Sequence, residues 1–332
     1  VERKACRRVV LAALVLASGT APVAWSQLPA ERYPARPIRL VQPFPPGGGA
    51  DVAARFVAQR VSEGLGQAIV VDNRGGAGGA IGTEIVAHSA PDGYTLLMAT
   101  ASTVVINPLV NKVRFDAVRD FDPVVHVSTV PLILVAHPSV PVKSVRELIS
   151  VAKAQPGKIN FASSGEGTIS HLAGELFKLL TGTDMVHVPY RGGGPARTAL
   201  IAGEVQINFA NMLATAGDVR AGRLRALAVT TARRTEGMPD VPTMQESGVP
   251  GYEVVQWSGI LAPRGTPRGR IELVNRAVNR VLETPKAREF FLAGGSEPGG
   301  GSPQAFGALI RSDIARWSEV VRQAKIRGSV GP

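Results

Sequence analysis

Thiol chemistry is the first thing this chain cannot do. Its 332 residues hold one cysteine, Cys6, which excludes an internal disulfide, a Cys-rich zinc site and a thiol relay. Aromatic residues make up only 5% of the chain. No stacking motif accompanies its scattered Arg and Lys, so the net charge of +11 is a poor footprint for nucleic acid. The five histidines, His88, His126, His137, His171 and His187, have no metal-ligand spacing. No Gly-x-x-x-x-Gly-Lys-[Ser/Thr] loop occurs. Gly76-Ala77-Gly78 would need a glycine at 81 to make the dinucleotide fingerprint, and Ile81 stands there. Ser163-Ser164-Gly165-Glu166-Gly167 is not the Gly-x-Ser-x-Gly elbow of hydrolases. No metal and no cofactor is expected.

The N-terminus is basic at Arg3, Lys4, Arg7 and Arg8. Nine apolar residues, 9–17, follow, then Pro22 and the small-residue site Ala24-Trp25-Ser26. That order predicts a signal peptide over 1–26, cleaved before Gln27. Nine apolar residues are too few to cross a bilayer. Arg7-Arg8 alone does not choose between the Sec and twin-arginine routes. Cys6 falls in the removed segment, ahead of the apolar run, where lipidation does not use it. The longest later apolar run, 130–136, has the length of a strand. The expected product is exported and soluble, in the periplasm of a Gram-negative bacterium.

What the chain has in quantity is glycine and proline, 37 and 25 residues, without a Gly-X-Y period. They punctuate an alternation of strand-like and helix-like segments, the grammar of a parallel sheet with crossover helices. Residues 37–44, 68–71, 94–98, 159–162, 185–190, 205–209, 224–230 and 254–261 read as strands. Residues 121–136 read as two strands separated by Pro131. Helical periodicity follows Asp51, Thr83, Leu172 and Pro195, and Ser144-Val145-Arg146-Glu147 is a capping box. The C-terminal remainder reads as helix at 270–282 and 303–325.

Four strand-to-helix corners carry glycine clusters, at 43–51, 73–82, 163–168 and 190–195. In an open parallel sheet such corners lie at the carboxyl ends of the strands, where ligands bind. Glycine admits a close backbone approach, and a helix N-terminus leaves its first N–H groups unpaired. Together they make an anion site that needs no charged side chain. Hydrogen bonds to a charged group contribute roughly 1.5–3 kcal/mol each, so four to six would offset the association cost and leave micromolar binding. With the nucleotide motifs absent, a carboxylate is the expected anion.

The segment Pro43-Phe44-Pro45-Pro46-Gly47-Gly48-Gly49-Ala50-Asp51 resembles the first loop of the Bug family, periplasmic solute-binding proteins of tripartite tricarboxylate transporters. Similar stretches follow in order: Asn73-Arg74-Gly75-Gly76-Ala77-Gly78-Gly79, Pro91-Asp92-Gly93-Tyr94, Ser164-Gly165-Glu166-Gly167-Thr168 with His171, Val188-Pro189-Tyr190-Arg191-Gly192-Gly193-Gly194-Pro195-Ala196, and Trp257-Ser258-Gly259. The resemblance implies an α/β, two-lobed periplasmic-binding-protein-like fold of type II, each lobe a mostly parallel sheet flanked by helices. It implies that the lobes close over a di- or tricarboxylate, an acidic amino acid or an aromatic acid. Carried onto this chain, Phe44 packs on the solute, Pro46, Gly47 and Gly48 line the first loop, and Asp51 orders its water or caps its helix. Ala77 and Gly78 form the second loop. Ser164, Thr168 and His171 offer polar groups from the other lobe, and Tyr190, Gly192, Gly193 and Ala196 complete the site. After Val205-Gln206 the family usually carries a Phe-Asp pair, whereas here Phe209 precedes Ala210 and Asn211.

The expected division is one lobe from 30–100 plus about 228–300 and another from 101–227, with helix 303–325 packing back on the second. The expected partners are a small carboxylate and the membrane subunits of a tripartite tricarboxylate transporter, or a sensor, with the chain a monomer, no enzyme, and no nucleic acid bound. Two other classes compete. A secreted α/β hydrolase would need Ser164 activated by His171. A ligand-sensing effector domain would need neither export nor transporter.

Overall fold

A computed structural model of the protein describes residues 33–323. The leader at 1–26 with Cys6, and the last two residues of the helix expected over 303–325, lie outside the described residues. In chain order the elements are β1 (Ile38–Gln42), α1 (Gly49–Leu65), β2 (Ile69–Asn73), α2 (Ala80–Ala87), β3 (Thr95–Thr100), α3 (Asn107–Val110) and β4 (Phe121–Ala136). Then come α4 (Val145–Ala154), β5 (Asn160–Ser163), α5 (Ile169–Thr181), β6 (Val186–Pro189), α6 (Gly193–Ile201), β7 (Ile207–Asn211), α7 (Met212–Arg220) and β8 (Arg225–Val229). The chain ends with β9 (Val255–Pro263), α8 (Arg268–Leu282), α9 (Pro285–Ala293), β10 (Glu297–Gly300) and α10 (Pro303–Gln323).

Two sheets share one strand, β4. Its first part pairs antiparallel with β9 and β10, extending a sheet in which β2, β1 and β3 run parallel. Its second part pairs antiparallel with β7 and β8, and β7 leads on to parallel β5 and β6. The molecule is therefore two-lobed, an α/β fold whose outer strands are parallel and whose shared strands are antiparallel. Pro131 does not divide β4 as the sequence pattern suggests. It is the last residue paired with β9, opposite Val255, and Leu132 is the first paired with β7. A residue without an N–H is tolerated where one ladder ends and the next begins. Leu132 then exchanges hydrogen bonds with the Thr230 side chain.

Alternation along the strands builds the cores. Ile38 and Leu40 of β1 face Ala53, Ala54, Val57 and Val61 of α1, with Val274 and Val278 of α8 beside them. The i, i+3, i+4 spacing of those small apolar residues makes α1 a helix that lies flat on the sheet. Gly66 ends it in the left-handed conformation, φ 66°, its N–H bonded to the Ser62 carbonyl. The other large core joins Leu132, Leu134, Phe161, Phe177 and Phe209 to Trp257, Phe306 and Trp317. Through it α10 packs along β4, while the Trp257 indole donates to Asp313 at 2.6 Å. Burial pushes the Asp313 carboxyl above its ordinary range.

The sequence pattern missed α3, α7, α9 and β10. β10 is Glu-Pro-Gly-Gly, a poor strand former, recruited because β4 leaves an edge to be covered. A methyl group on Gly299 would stand 2.7 Å from the His126 carbonyl oxygen, so the approach requires glycine. α7 has no strong apolar period, and it forms where Met212 and Ala216 meet the core under β7.

Candidate functional site

The carboxyl ends of β1, β5, β6 and β7 converge, and the helices that follow begin there. In α1 the first ladder bond is from Val52 N–H to the Gly48 carbonyl, which leaves the N–H groups of Gly49, Ala50 and Asp51 outside the helix's own pairing. In α6 it is from Ala196 to Gly192, leaving Gly193 and Gly194; Pro195 has no N–H to satisfy. α7 begins after Asn211 and α5 after Thr168. These helices run from 9 to 17 residues, long enough to carry a dipole.

Between them lies a small cavity of about 30 Å³, the room of one or two water molecules. Gly48 and Gly49 line it from the first lobe. Ser164, Ser170, Gly193, Ala196, Asn208, Phe209, Ala210, Asn211, Ala214 and Thr215 line it from the second, with Leu132 and Gln256 at the shared strands. No lysine or arginine is among them. The lobes touch through glycine: a methyl on Gly194 would stand 2.5 Å from the Pro46 carbonyl oxygen, and one on Gly48 would stand 3.8 Å from the Gly194 nitrogen. Outside this contact a shallower groove of about 460 Å³ is lined by Pro46, Gly47, Tyr190, Gly194, Arg197 and Glu204 among others. Burial and the neighbouring Glu204 push the Tyr190 phenol above its ordinary range.

The residues singled out in the sequence take four kinds of place. Gly48, Ser164, Gly193 and Ala196 line the inner cavity, while Pro46, Gly47 and Tyr190 line the outer groove. Gly192 precedes α6 at φ 130°, against the Pro45 ring and the Phe44 side chain. Phe44 is buried between the glycine loops, its carbonyl accepting from Asn73 Nδ2 at 2.8 Å. Asp51 is buried and acts on the loop: it accepts from Gly47 N–H at 3.0 Å, Asn73 Nδ2 at 2.8 Å and Arg55 Nε at 3.0 Å. Ala77 and Gly78 both have positive φ, and Asn107 Nδ2 donates to both of their carbonyls, at 2.8 and 3.1 Å. A methyl on Gly78 would stand 2.8 Å from the Glu166 carbonyl, so this loop also reaches across to residues 163–168.

Thr168 and His171 brace that last loop. Thr168 is buried, its hydroxyl donating to the Gly165 carbonyl at 2.6 Å. His171 Nδ1 accepts from Gly167 N–H, and its ring stacks on His187 with centroids 4.0 Å apart. His187 in turn meets the Ser163 hydroxyl at 2.6 Å. Burial and the adjacent His171 push His187 down to about 3, and burial also lowers His171. Ser164 Oγ has Ser170 Oγ as its partner at 2.8 Å. The Ser164 hydroxyl is thus paired with Ser170 and not with His171, the base that the hydrolase reading requires.

Sequence reasoning passed over Asn107, Ser170, Asn208, Asn211 and Thr215. Of the last three, Asn208 lies within the segment read as a strand, Asn211 ends β7 two positions past that segment, and Thr215 is in the first turn of α7. Deeper support comes from Asp218 of α7, buried against Arg197 of α6 and Arg223. Burial opposes its charge, but the two guanidiniums win and hold the carboxyl below its usual range. This pair ties together two of the helices whose N-termini face the cavity. Among the described residues no helix is long and apolar enough to cross a membrane.

A model of the family described as "Tripartite tricarboxylate transporter family receptor" matches residues 53–326. Protein BugT of Bordetella pertussis is 41% identical over 95% of this chain and 97% of its own. Among solved structures, Rpa4515 of R. palustris with adipate is 39% identical at a TM-score of 0.87, covering 89% of this chain and 99% of that one. MatC of Rhodopseudomonas palustris with bound malate is 32% identical at 0.83, covering 87% and 100%.

Proposed function

The chain belongs to the tripartite tricarboxylate transporter family of receptors, and from that premise we propose that it captures a small carboxylate between its two lobes and hands it on. One observation carries the reading: main-chain donors at helix starts from both lobes converge on one cavity without a lysine or arginine in its lining. Relatives of the same fold hold adipate and malate, both dicarboxylates. The cavity as it stands is too small for either, so the lobes part to admit the solute and close to strip it of water.

In this reading Gly48, Gly193 and Ser164 meet the carboxylate, and Ala196 closes the wall. Pro46, Gly47, Gly192 and Tyr190 seal the lobes over it. Phe44 is the apolar floor. Asp51, Ala77, Gly78, Thr168 and His171 hold the loops in shape. The lobes divide near 101 and 228, and the receptor is an exported, non-catalytic monomer. It delivers its solute to the membrane subunits of a transporter, or to a sensor.

Thermal-shift and calorimetric titration with a panel of di- and tricarboxylates, beside their neutral diesters, test the proposal. A bound acid raises stability as RT ln(1 + [L]/Kd), about 2.7 kcal/mol at a hundred times Kd. Gly193→Val abolishes the response without unfolding the protein. Binding of the diesters as tightly as the acids, or no response to any carboxylate, overturns it.

A further inference from the structure

Main-chain N–H groups explain how a carboxylate is met, but the same cavity also presents the opposite polarity. Asn208 is 3% exposed, in the middle of the second sheet, where its backbone pairs with Val135 on one side and Ala162 on the other. Its Oδ1 is buried without a hydrogen-bond partner, and so is Oδ1 of Asn211, three residues on at the mouth of α7. Both residues line the cavity. The Asn211 carboxamide lies directly against Gly49, the first residue of α1, so it also faces across the lobe contact. At a helix start surrounded by N–H groups the oxygen, not the nitrogen, is the end of an amide that electrostatics turns inward.

An orphaned buried acceptor is costly, and most such groups in folded proteins find a partner. A carboxylate cannot serve, because its oxygens accept and would be repelled. With water stripped from the closed site, the partner has to be an O–H or N–H on the solute. We propose that Asn208 and Asn211 select a carboxylate bearing a hydroxyl or ammonium group beside its carboxyl, a hydroxy- or amino-dicarboxylate, over the unsubstituted diacid. The proposal rests on the carboxylate reading above and sharpens it to a class. Ala210 between the two asparagines is buried and lines the same cavity, and its methyl group brings no charge to compete.

The test is calorimetric titration of the purified protein with matched acids of equal length: succinate, malate and aspartate, then glutarate, 2-hydroxyglutarate and glutamate. A site built around a hydrogen bond rejects the analogue that lacks it, so the substituted member of one set binds at least about tenfold more tightly than the plain diacid. Asn208→Leu, similar in volume but without the acceptor, narrows that ratio below about threefold. Equal binding within both sets, tighter binding of the plain diacids, or a preference that survives Asn208→Leu combined with Asn211→Ala overturns the assignment and leaves the carboxylate reading standing. Binding of no carboxylate in either set overturns both.

Discussion

Replacing Gly194 by alanine separates closure from folding. Gly194 lies in the first turn of α6 with no positive φ, so alanine suits its backbone and slightly favours the helix. The obstacle is in the other lobe: the new methyl would stand 2.5 Å from the Pro46 carbonyl oxygen, with the Gly47 carbonyl carbon at 3.4 Å. Relief of that clash to an ordinary 3.4 Å contact moves the loops apart by roughly 0.9 Å. A hydrogen bond near 2.9 Å would then stretch to about 3.8 Å, beyond useful reach. Losing one or two charge-assisted hydrogen bonds costs about 2–5 kcal/mol, a fall in affinity of roughly thirtyfold to several thousandfold. Titration calorimetry with a dicarboxylate that binds the parent protein reads the loss. Urea unfolding of the solute-free variant stays within about 0.5 kcal/mol of the parent, because no contact inside a lobe changes. Parent-like affinity in Gly194→Ala would refute the reasoning, and so would a drop in stability as large as the drop in binding.

Other perturbations follow from the same contacts. Asp218→Asn removes the charge that holds Arg197 and Arg223, and is expected to cost about 2–4 kcal/mol in urea unfolding and to weaken solute binding, since α6 and α7 lose their tie. Asp51→Ala leaves the Gly47 N–H without its acceptor and Asn73 Nδ2 with only the Phe44 carbonyl; about 2–4 kcal/mol of stability should go, with a weaker solute titration. His187 is kept neutral in the fold, with its pKa near 3, while the unfolded chain takes up a proton near 6.5. The unfolded state therefore binds more protons between those values, and stability falls on acidification by up to about 1.4 kcal/mol per pH unit. His187→Gln flattens that slope between pH 6 and 4 in unfolding curves; an unchanged slope would show that the imidazole is not its source.

Much of the architecture could be read from the chain because its signals are local. Glycine corners, the capping box at Ser144 and the apolar spacing in α1 depend on a few neighbouring residues, and the structure carries each as written: the Ser144 side chain accepts from Glu147 N–H, and Gly66 closes α1. The corners at Gly48 and Gly193 also named the place where the lobes meet, because a glycine cluster at the end of a strand serves close backbone approach whatever lies opposite. Order along the chain was enough to expect two α/β lobes.

What lies opposite was decided by the tertiary structure. Pro131 read as a break, yet it sits inside a sixteen-residue strand at the point where β4 changes partners. Glu297-Pro298-Gly299-Gly300 has no strand propensity and becomes one because β4 exposes an edge. Asp51, His171 and Thr168 are the residue types of a ligand site, but folding turns their polar atoms onto the loops behind it. Asn208 sat within a segment read as a strand and Asn211 just past it, and only the convergence of β7 with α1 and α6 leaves their oxygens buried and unpaired. Local sequence can encode a turn, a cap or a periodic face, since each is satisfied within a few residues. A cavity is made of groups distant along the chain, and its chemistry is set by which of their hydrogen bonds the fold leaves unmade.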